Sequence, residues 1–274
     1  MEFKNKFMNI AHRGASGYYP ENTISSFQAA LNMGIKWMEC DVRLTSDKEI
    51  VVIHDRKVDR TTDASGLVSN FTLKELKQMD AGSWFDCKFK NEKIPTLKEL
   101  FDLLKEYKEV QLVVEIKDSI YFPEITGKII YLIKKADLIN QITISSFHWS
   151  VLKETKNTEP AIKTAALVFC SKNPEKKFRM VDGDKVKVYS YLDKLIDKAK
   201  KNNINIICPP ANYLNEKNIH KLHQSNFPVR AWGLNNNLDI KQMKRLIKIG
   251  IDGMTTNYPD VLRETYNNIK NKKT

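Results

Sequence analysis

An α/β chain closed into a (β/α)8 TIM barrel, with a small insertion after the second strand region, is the fold this sequence predicts. Three observations predict it. From residue 8 onward the apolar period switches repeatedly between two and about four, so strand and helix patterns alternate along the chain. Eight strand-helix units can be counted, and repeated units of this kind require a parallel sheet. The 274 residues suit a closed barrel, which typically needs about 250, and no GxGxxG or P-loop follows the first strand to favour an open nucleotide-binding sheet. Residues 1–274 are therefore expected to form one barrel domain.

The first strand covers about residues 8–12. PENT follows, with Asn22 or Thr23 as a helix cap, and Ile24, Phe27 and Leu31 give one apolar face to a helix that stops near Gly34. The second strand, about 36–43, turns through TSDKE into an extended run ending at His54. Residues from about 56 to 94 break the rhythm and read as an insertion rather than a separate domain. They hold a short helix, TLKELKQM, capped by Thr72, then Trp84, Phe85 and Phe89, which look like the cover of a pocket. From Pro95 the alternation resumes with helix TLKELFDLL, strand EVQLVVEIK, helix PEITGKIIYLIKKA, strand QITISSF, helix HWSVLKET and strand IKTAALVF. A less regular stretch, 171–190, precedes helix YLDKLIDKAKKN, strand NIIC, helix NEKNIHKLHQ, strand PVRAWGL, helix LDIKQMKRLIKIG, strand GMTT and the last helix, DVLRETYNNI.

Hydrophobic content of 42% and charged content of 28% are ordinary for a water-soluble globular protein, and no apolar run approaches the roughly 20 residues of a membrane helix. The opening MEFKNKFMNI lacks the apolar stretch and small-residue cleavage site of a secretory leader, so a cytoplasmic protein without a stable membrane anchor is expected. The net charge of +12 comes from lysines spread over helices and tail, with no arginine-rich arm. Solvated faces account for it, and no nucleic-acid partner is expected. Cys40, Cys87, Cys170 and Cys208 lie far apart without a CxxC, which suggests reduced thiols rather than zinc ligands or disulfides.

Candidate chemistry sits where such a barrel collects it, at the C-terminal ends of strands. His12 and Arg13 end the first strand, Glu39 and Asp41 lie late in the second, His54 ends its companion run, and Glu115 and Lys117 end the third. Side chains two apart on a strand share a face, so Glu39 and Asp41 point the same way, as do Glu115 and Lys117. Paired carboxylates repel, and a strand keeps them when a cation lies between the oxygens or one carboxyl stays protonated. Three carboxylates can bind one hard cation. Each residue has a plainer alternative: Glu39 and Asp41 as ion-pair partners of Arg13 and Arg43, Glu115 as partner of Lys117 alone, Glu21 and Asn22 as a helix cap. His148, His220 and His223 have helix-like neighbours and read as surface or packing residues.

These residues stand in stretches, HRGASGYYPENT, ECDVRLTSDKEIVVIHD and VVEIK, that resemble the glycerophosphodiester phosphodiesterase family in its bacterial cytosolic form. The resemblance spans roughly residues 9–264 and extends to VRAWGLN and GMTTNYPD. It implies a (β/α)8 barrel with a small insertion, a divalent cation, and hydrolysis of glycerophosphodiesters to sn-glycerol 3-phosphate and an alcohol. Glu39, Asp41 and Glu115 match the family's metal ligands, and His12 and His54 its acid and base. Where many members carry Asp in the closing TD pair, this chain has Asn257. The family pattern and a place near the mouth make Trp232, and with it Phe147, candidate walls for the substrate.

Elementary chemistry agrees. A phosphodiester anion repels nucleophiles until its charge is neutralised, a task for the cation, Arg13 and Lys117. All-oxygen ligands favour Mg²⁺ or Ca²⁺ over Zn²⁺. Two imidazoles can move protons near neutral pH, one from the nucleophile and one to the leaving alkoxide, with either histidine in either part. Attack by the substrate's own glycerol hydroxyl, through a cyclic phosphate, or by water would use the same groups. A lysophospholipase D-like enzyme would share this site, but no amphipathic anchor accompanies Trp84, Phe85 and Phe89, which favours a small-molecule substrate. A non-catalytic anion-binding barrel would have no use for both histidines and all three carboxylates.

Overall fold

The computed structural model describes residues 7–117, 122–171, 173, 175–181, 184–236 and 239–271. Its first half runs β1 (Met8–His12), α1 (Ile24–Asn32), β2 (Trp37–Leu44), β3 (Ile50–Val52), α2 (Leu73–Leu76), α3 (Leu97–Lys105), β4 (Gln111–Ile116), α4 (Phe122–Lys135), β5 (Ile142–Ser146) and α5 (Trp149–Thr158). The second half runs β6 (Lys163–Leu167), β7 (Phe169–Cys170), β8 (Phe178–Val181), β9 (Asp184–Tyr189), α6 (Leu192–Lys201), β10 (Ile206–Cys208), α7 (Glu216–Gln224), β11 (Arg230–Leu234), α8 (Ile240–Lys248), β12 (Gly253–Thr256) and α9 (Pro259–Lys270).

Eight strands pair in parallel in the order β10-β6-β5-β4-β2-β1-β12-β11, and two parallel bridges, Ile207 with Val229 and Pro210 with Trp232, bring the ends of that row together. The wall is a nearly closed barrel, as the alternation predicts. Sequence patterns place its helices: Thr23 caps α1 by accepting from the Ser26 amide, and Thr96 and Glu99 form a reciprocal capping box at α3. The strands alternate as a barrel requires. Met38, Cys40 and Val42 point outward into the helix-packed core, while Trp37 points inward beside Met8, Ile10, Val113, Ala165, Leu167, Ile206 and Cys208. The residues of β2 that share the Trp37 parity are therefore Glu39, Asp41 and Arg43.

Two regions differ from the sequence expectation. The stretch 171–190, expected to be less regular, contributes to a three-stranded sheet in which β9 pairs antiparallel with β8 and parallel with β7. Its signal was a short alternation, with Val186 and Val188 buried and Lys185 and Lys187 exposed. Between residues 56 and 94, the helix expected over TLKELKQM shrinks to the four residues of α2, although Thr72 and Glu75 do form its capping box. Val58, Val68, Leu76, Met79, Ala81 and Ile94 pack there against Val51 and Ile53. Among the described residues, no helix is long and apolar enough to cross a membrane.

Phe27 on α1 is fully buried in the helix-to-barrel core. Phe27→Ala should lower the unfolding free energy by about 3–5 kcal/mol in urea melts, whereas Tyr131→Ala, at a 61% exposed site, should change it by no more than about 0.5 kcal/mol. Equal effects would contradict this packing.

Candidate active site

Parallel pairing assembles the acidic cluster. His12 on β1 is the register partner of Glu39 on β2, and Asp41 is the partner of Glu115 on β4. One ligand oxygen from each of Glu39, Asp41 and Glu115 lies within 4.8 Å of the others, and all three side chains are buried. Lys117, just past the end of β4, places Nζ 2.5 Å from Glu115 Oε1 and 3.0 Å from Asp41 Oδ1. Arg13 Nε lies 2.9 Å from Asp41 Oδ2. Two cations thus face three carboxylates.

The turn after β1 delivers Arg13. Arg13 and Gly14 both adopt left-handed backbone, with φ of 58° and 81°, and a Cβ at position 14 would lie 2.4 Å from Ser26 Oγ. Only glycine fits there without displacing α1. The same turn lets the Arg13 amide donate to Glu39 Oε2 at 3.0 Å. Asn22, also left-handed, receives no cap duty, since Thr23 caps α1. Its side-chain Nδ2 instead donates to Asp41 Oδ2 at 3.0 Å, and its Oδ1 accepts from the Asp41 amide at 3.3 Å. Glu21 likewise belongs to this network, accepting from Arg13 Nη1 at 2.7 Å and from both terminal nitrogens of Arg60 at 2.8 Å.

The electrostatics separate the carboxyls. Burial, then the Asp41 and Glu115 charges, push the Glu39 carboxyl well above the ordinary range. Burial works against ionised Asp41 too, but Lys117 and Arg13 outweigh it and hold this group well below that range. The same exchange raises Lys117 and Arg13 despite their burial. Glu39 Oε1 is buried without a hydrogen-bond partner, and Asp41 Oδ1 meets Lys117 in charge but not in hydrogen-bond alignment. Buried carboxylate oxygens so placed suit a hard divalent cation, and Glu39, Asp41 and Glu115 are the residues that could hold it.

The histidines have unlike partners. His12 Nδ1 lies 2.6 Å from Asn257 Oδ1, and the amide orientation follows from Asn257 Nδ2, which donates to the Asn235 carbonyl at 3.2 Å. An amide oxygen can only accept, so His12 carries its proton on Nδ1 and leaves the Nε2 lone pair open. Burial, reinforced by the Arg13 charge, brings the His12 pKa down to about 3. His54 lies two residues beyond β3, short of the strand expected to reach it, and its Nδ1 is 2.5 Å from Asp55 Oδ1. That hydrogen bond, with Arg60 Nε on Asp55 Oδ2 at 2.6 Å, holds Asp55 well below the usual carboxylate range even though burial opposes it.

Across the mouth, Phe147 stacks on Phe169 with centroids 4.5 Å apart, and Trp232 meets both edge-on at 5.5 and 5.4 Å. The Trp232 indole N–H is anchored on the Cys208 carbonyl at 2.9 Å. On the other side Trp84, Phe85 and Phe89 form a chain of edge contacts that reaches Tyr19 in the β1–α1 loop, and Arg60 lies over the Trp84 ring. All the sequence-singled side chains of the acidic cluster, with Arg13, Lys117 and both histidines, collect on the strand ends of one barrel face. Asp55 and Arg60 were missed, while Glu21 and Asn22, read first as a helix cap with site contact as the second possibility, make site contacts. A carboxylate directly after a histidine was the visible signal for Asp55.

The profile of the "Glycerophosphoryl diester phosphodiesterase family" matches residues 12–261. The chain belongs to this family. It is 36% identical over 256 residues to YhdW of Bacillus subtilis (strain 168), covering 92% of this chain and 95% of that protein. It is 35% identical over 261 residues to a protein of Caldanaerobacter subterraneus subsp. tengcongensis named glycerophosphodiester phosphodiesterase, with 94% and 96% covered. Among solved structures, an Oleispira antarctica phosphodiesterase in complex with the product sn-glycerol-3-phosphate superimposes with a TM-score of 0.80 at 27% identity, covering 94% of this chain and 96% of that one. Within this glycerophosphodiester phosphodiesterase family member, the amide of Asn257 stands where the sequence comparison above leads one to expect a carboxylate, and it fixes the His12 tautomer without adding charge.

Imidazole NMR of the native chain should show His12 neutral throughout the range between about pH 5 and 8. Asn257→Asp places an anion against Nδ1, favours the imidazolium and should raise the His12 pKa. A variant whose His12 pKa is unmoved, or a native His12 that titrates near neutrality, would contradict the tautomer assignment.

Proposed function

We propose that this chain hydrolyses glycerophosphodiesters to sn-glycerol 3-phosphate and an alcohol, acting in the cytoplasm on a small-molecule substrate. The observation that carries this reading is the buried Glu39–Asp41–Glu115 cluster beside two histidines with opposite partners, at the mouth of a barrel of this family. The Oleispira relative's bound product is the expected phosphate half of the substrate.

A single hard cation, Mg²⁺ or Ca²⁺, held by Glu39, Asp41 and Glu115 would neutralise the non-bridging phosphate oxygens and stabilise charge that develops on them. Arg13 and Lys117 place two further positive charges at the same carboxylates, where they orient the phosphate and hold Asp41 ionised. His12 is the general base. Its Nε2 lone pair accepts the proton of the attacking hydroxyl, and Asn257 keeps the ring in the tautomer that makes this possible. His54 is the general acid. Asp55 holds its Nδ1, which leaves Nε2 to give a proton to the leaving alkoxide. Arg60 and Glu21 tie Asp55 to Arg13, so the acid and the phosphate clamp share one frame. Trp232 and Phe147 form the apolar wall against which the substrate rests. Residues 56–94 act as part of the same barrel domain, contributing His54's neighbour Arg60 and the aromatic cover.

His12→Ala and His54→Ala should each cut glycerophosphocholine turnover by at least about 10²-fold with melting temperatures close to the native value. Full activity in either, or a collapse of stability instead, would overturn the assignments. EDTA should abolish turnover, and added Mg²⁺ or Ca²⁺ should restore it. Because burial and the neighbouring charges favour the protonated Glu39 carboxyl, which must ionise to bind a cation, cation affinity should rise with pH and binding should release protons. Calorimetry in two buffers of different ionisation heat measures this, and pH-independent binding without proton release would contradict the ligand set.

A further inference from the structure

A groove of about 420 Å³ opens beyond the aromatic wall, between β8 and the ends of β10 and β11. Trp232 and Phe169 line its inner side, Asn212 and Gln242 add uncharged polar groups, and Lys176 and Arg179 supply its charge. No carboxylate is among its described lining residues. We propose that this groove is the subsite for the leaving alcohol and that it selects alcohols carrying a second phosphate. The proposal rests on the glycerophosphodiesterase reading above.

Register places the groove on the path out of the site. Glu115 pairs with Ser145, so Phe147, two residues further on β5's path, comes level with Lys117, two residues beyond Glu115. Phe169 and Trp232 continue the row from Phe147 toward the groove. A phosphodiester held at Lys117 can thus direct one substituent along these rings.

The rings alone would suit a quaternary ammonium such as choline, which binds open aromatic faces. Here those of Phe169 are taken. One is stacked on Phe147 at an interplanar angle of 12°, and the Arg179 guanidinium lies over the ring at 4.7 Å from its centroid. A cationic headgroup would meet a like charge where it needs a π-face. A guanidinium can bind phosphate oxygens in pairs through its planar fork, Arg179 lines this groove, and Lys176 adds a point charge on it. Charge and shape therefore favour a phosphorylated alcohol over choline or ethanolamine.

Three diesters that share the glycerophosphate half separate the possibilities: glycerophosphocholine, glycerophosphoglycerol, and glycerophosphoglycerol phosphorylated on its terminal hydroxyl. With the full chain and saturating Mg²⁺ or Ca²⁺, kcat/KM for the phosphorylated diester should exceed that for glycerophosphocholine by about tenfold or more, the worth of one charge-assisted contact. The ratio should collapse toward one in the double variant Lys176→Gln, Arg179→Gln, and should shrink in about 0.5 M salt, where such attraction is screened. A native chain that prefers glycerophosphocholine, or a preference for the phosphorylated diester that survives the double variant, overturns the subsite. Hydrolysis of none of the three overturns the glycerophosphodiesterase reading itself, and the subsite with it.

Discussion

Asp41 and Glu115 are register partners on neighbouring parallel strands, and Glu39 lies two residues before Asp41 on the same inward face. Strand pairing itself therefore forces three carboxylates into one buried volume, where the Asp41 and Glu115 charges make ionisation of Glu39 harder. The structure answers in two ways. Lys117 and Arg13 are brought against Asp41, which stays ionised, while Glu39 is pushed toward its protonated form. Two cations cannot keep all three carboxyls ionised, and ionising Glu39, whose Oε1 is buried without a hydrogen-bond partner, calls for a further positive charge.

The same constraint extends outward as a chain of alternating charges. Asp41 holds Arg13, Arg13 holds Glu21, Glu21 holds Arg60, Arg60 holds Asp55, and Asp55 holds His54. The arginine–carboxylate links are ion pairs that exposed surface would render nearly worthless, but toward the Asp41 end they are shielded from water and fix geometry, and the chain ends in the Asp55–His54 hydrogen bond. The position of His54 on one loop is thereby coupled to the position of Arg13 on another. This side-chain route adds to the tie that β2 makes to the same segment, where Ile53 N–H donates to the Asp41 carbonyl at 2.9 Å and Arg43 Nε to the His54 carbonyl at 2.8 Å.

The barrel was legible because each strand and helix announces itself through its own apolar period, and the inward face of β2 follows from parity alone once Trp37 is assigned to the interior. The acidic cluster was legible for the same reason, since spacing of two puts side chains on one face in any strand. What the sequence did not reveal is everything set by turns. Asn22 looks like a helix cap, and only the left-handed conformations at Arg13 and Asn22 carry its amide to Asp41. Glu21, Arg60 and Asp55 meet across loops that have no periodicity to read. The β8–β9 pair was overlooked because its alternation is short and its outward residues include Phe178 and Met180, both 58% exposed, which blur the contrast between faces.

Two histidines at one site can divide acid and base work only if their surroundings differ, and the difference here lies in one atom. Asn257 offers His12 an amide oxygen, a neutral acceptor that sets the tautomer and leaves the ring uncharged in its buried position. Asp55 offers His54 a carboxylate, a charged acceptor at the same ring nitrogen. Both partners engage Nδ1, so what separates the two rings is the charge of the acceptor. An asparagine in place of an aspartate just past β12 therefore sets the His12 tautomer without adding charge, whereas a carboxylate there would give the two histidines the same kind of partner.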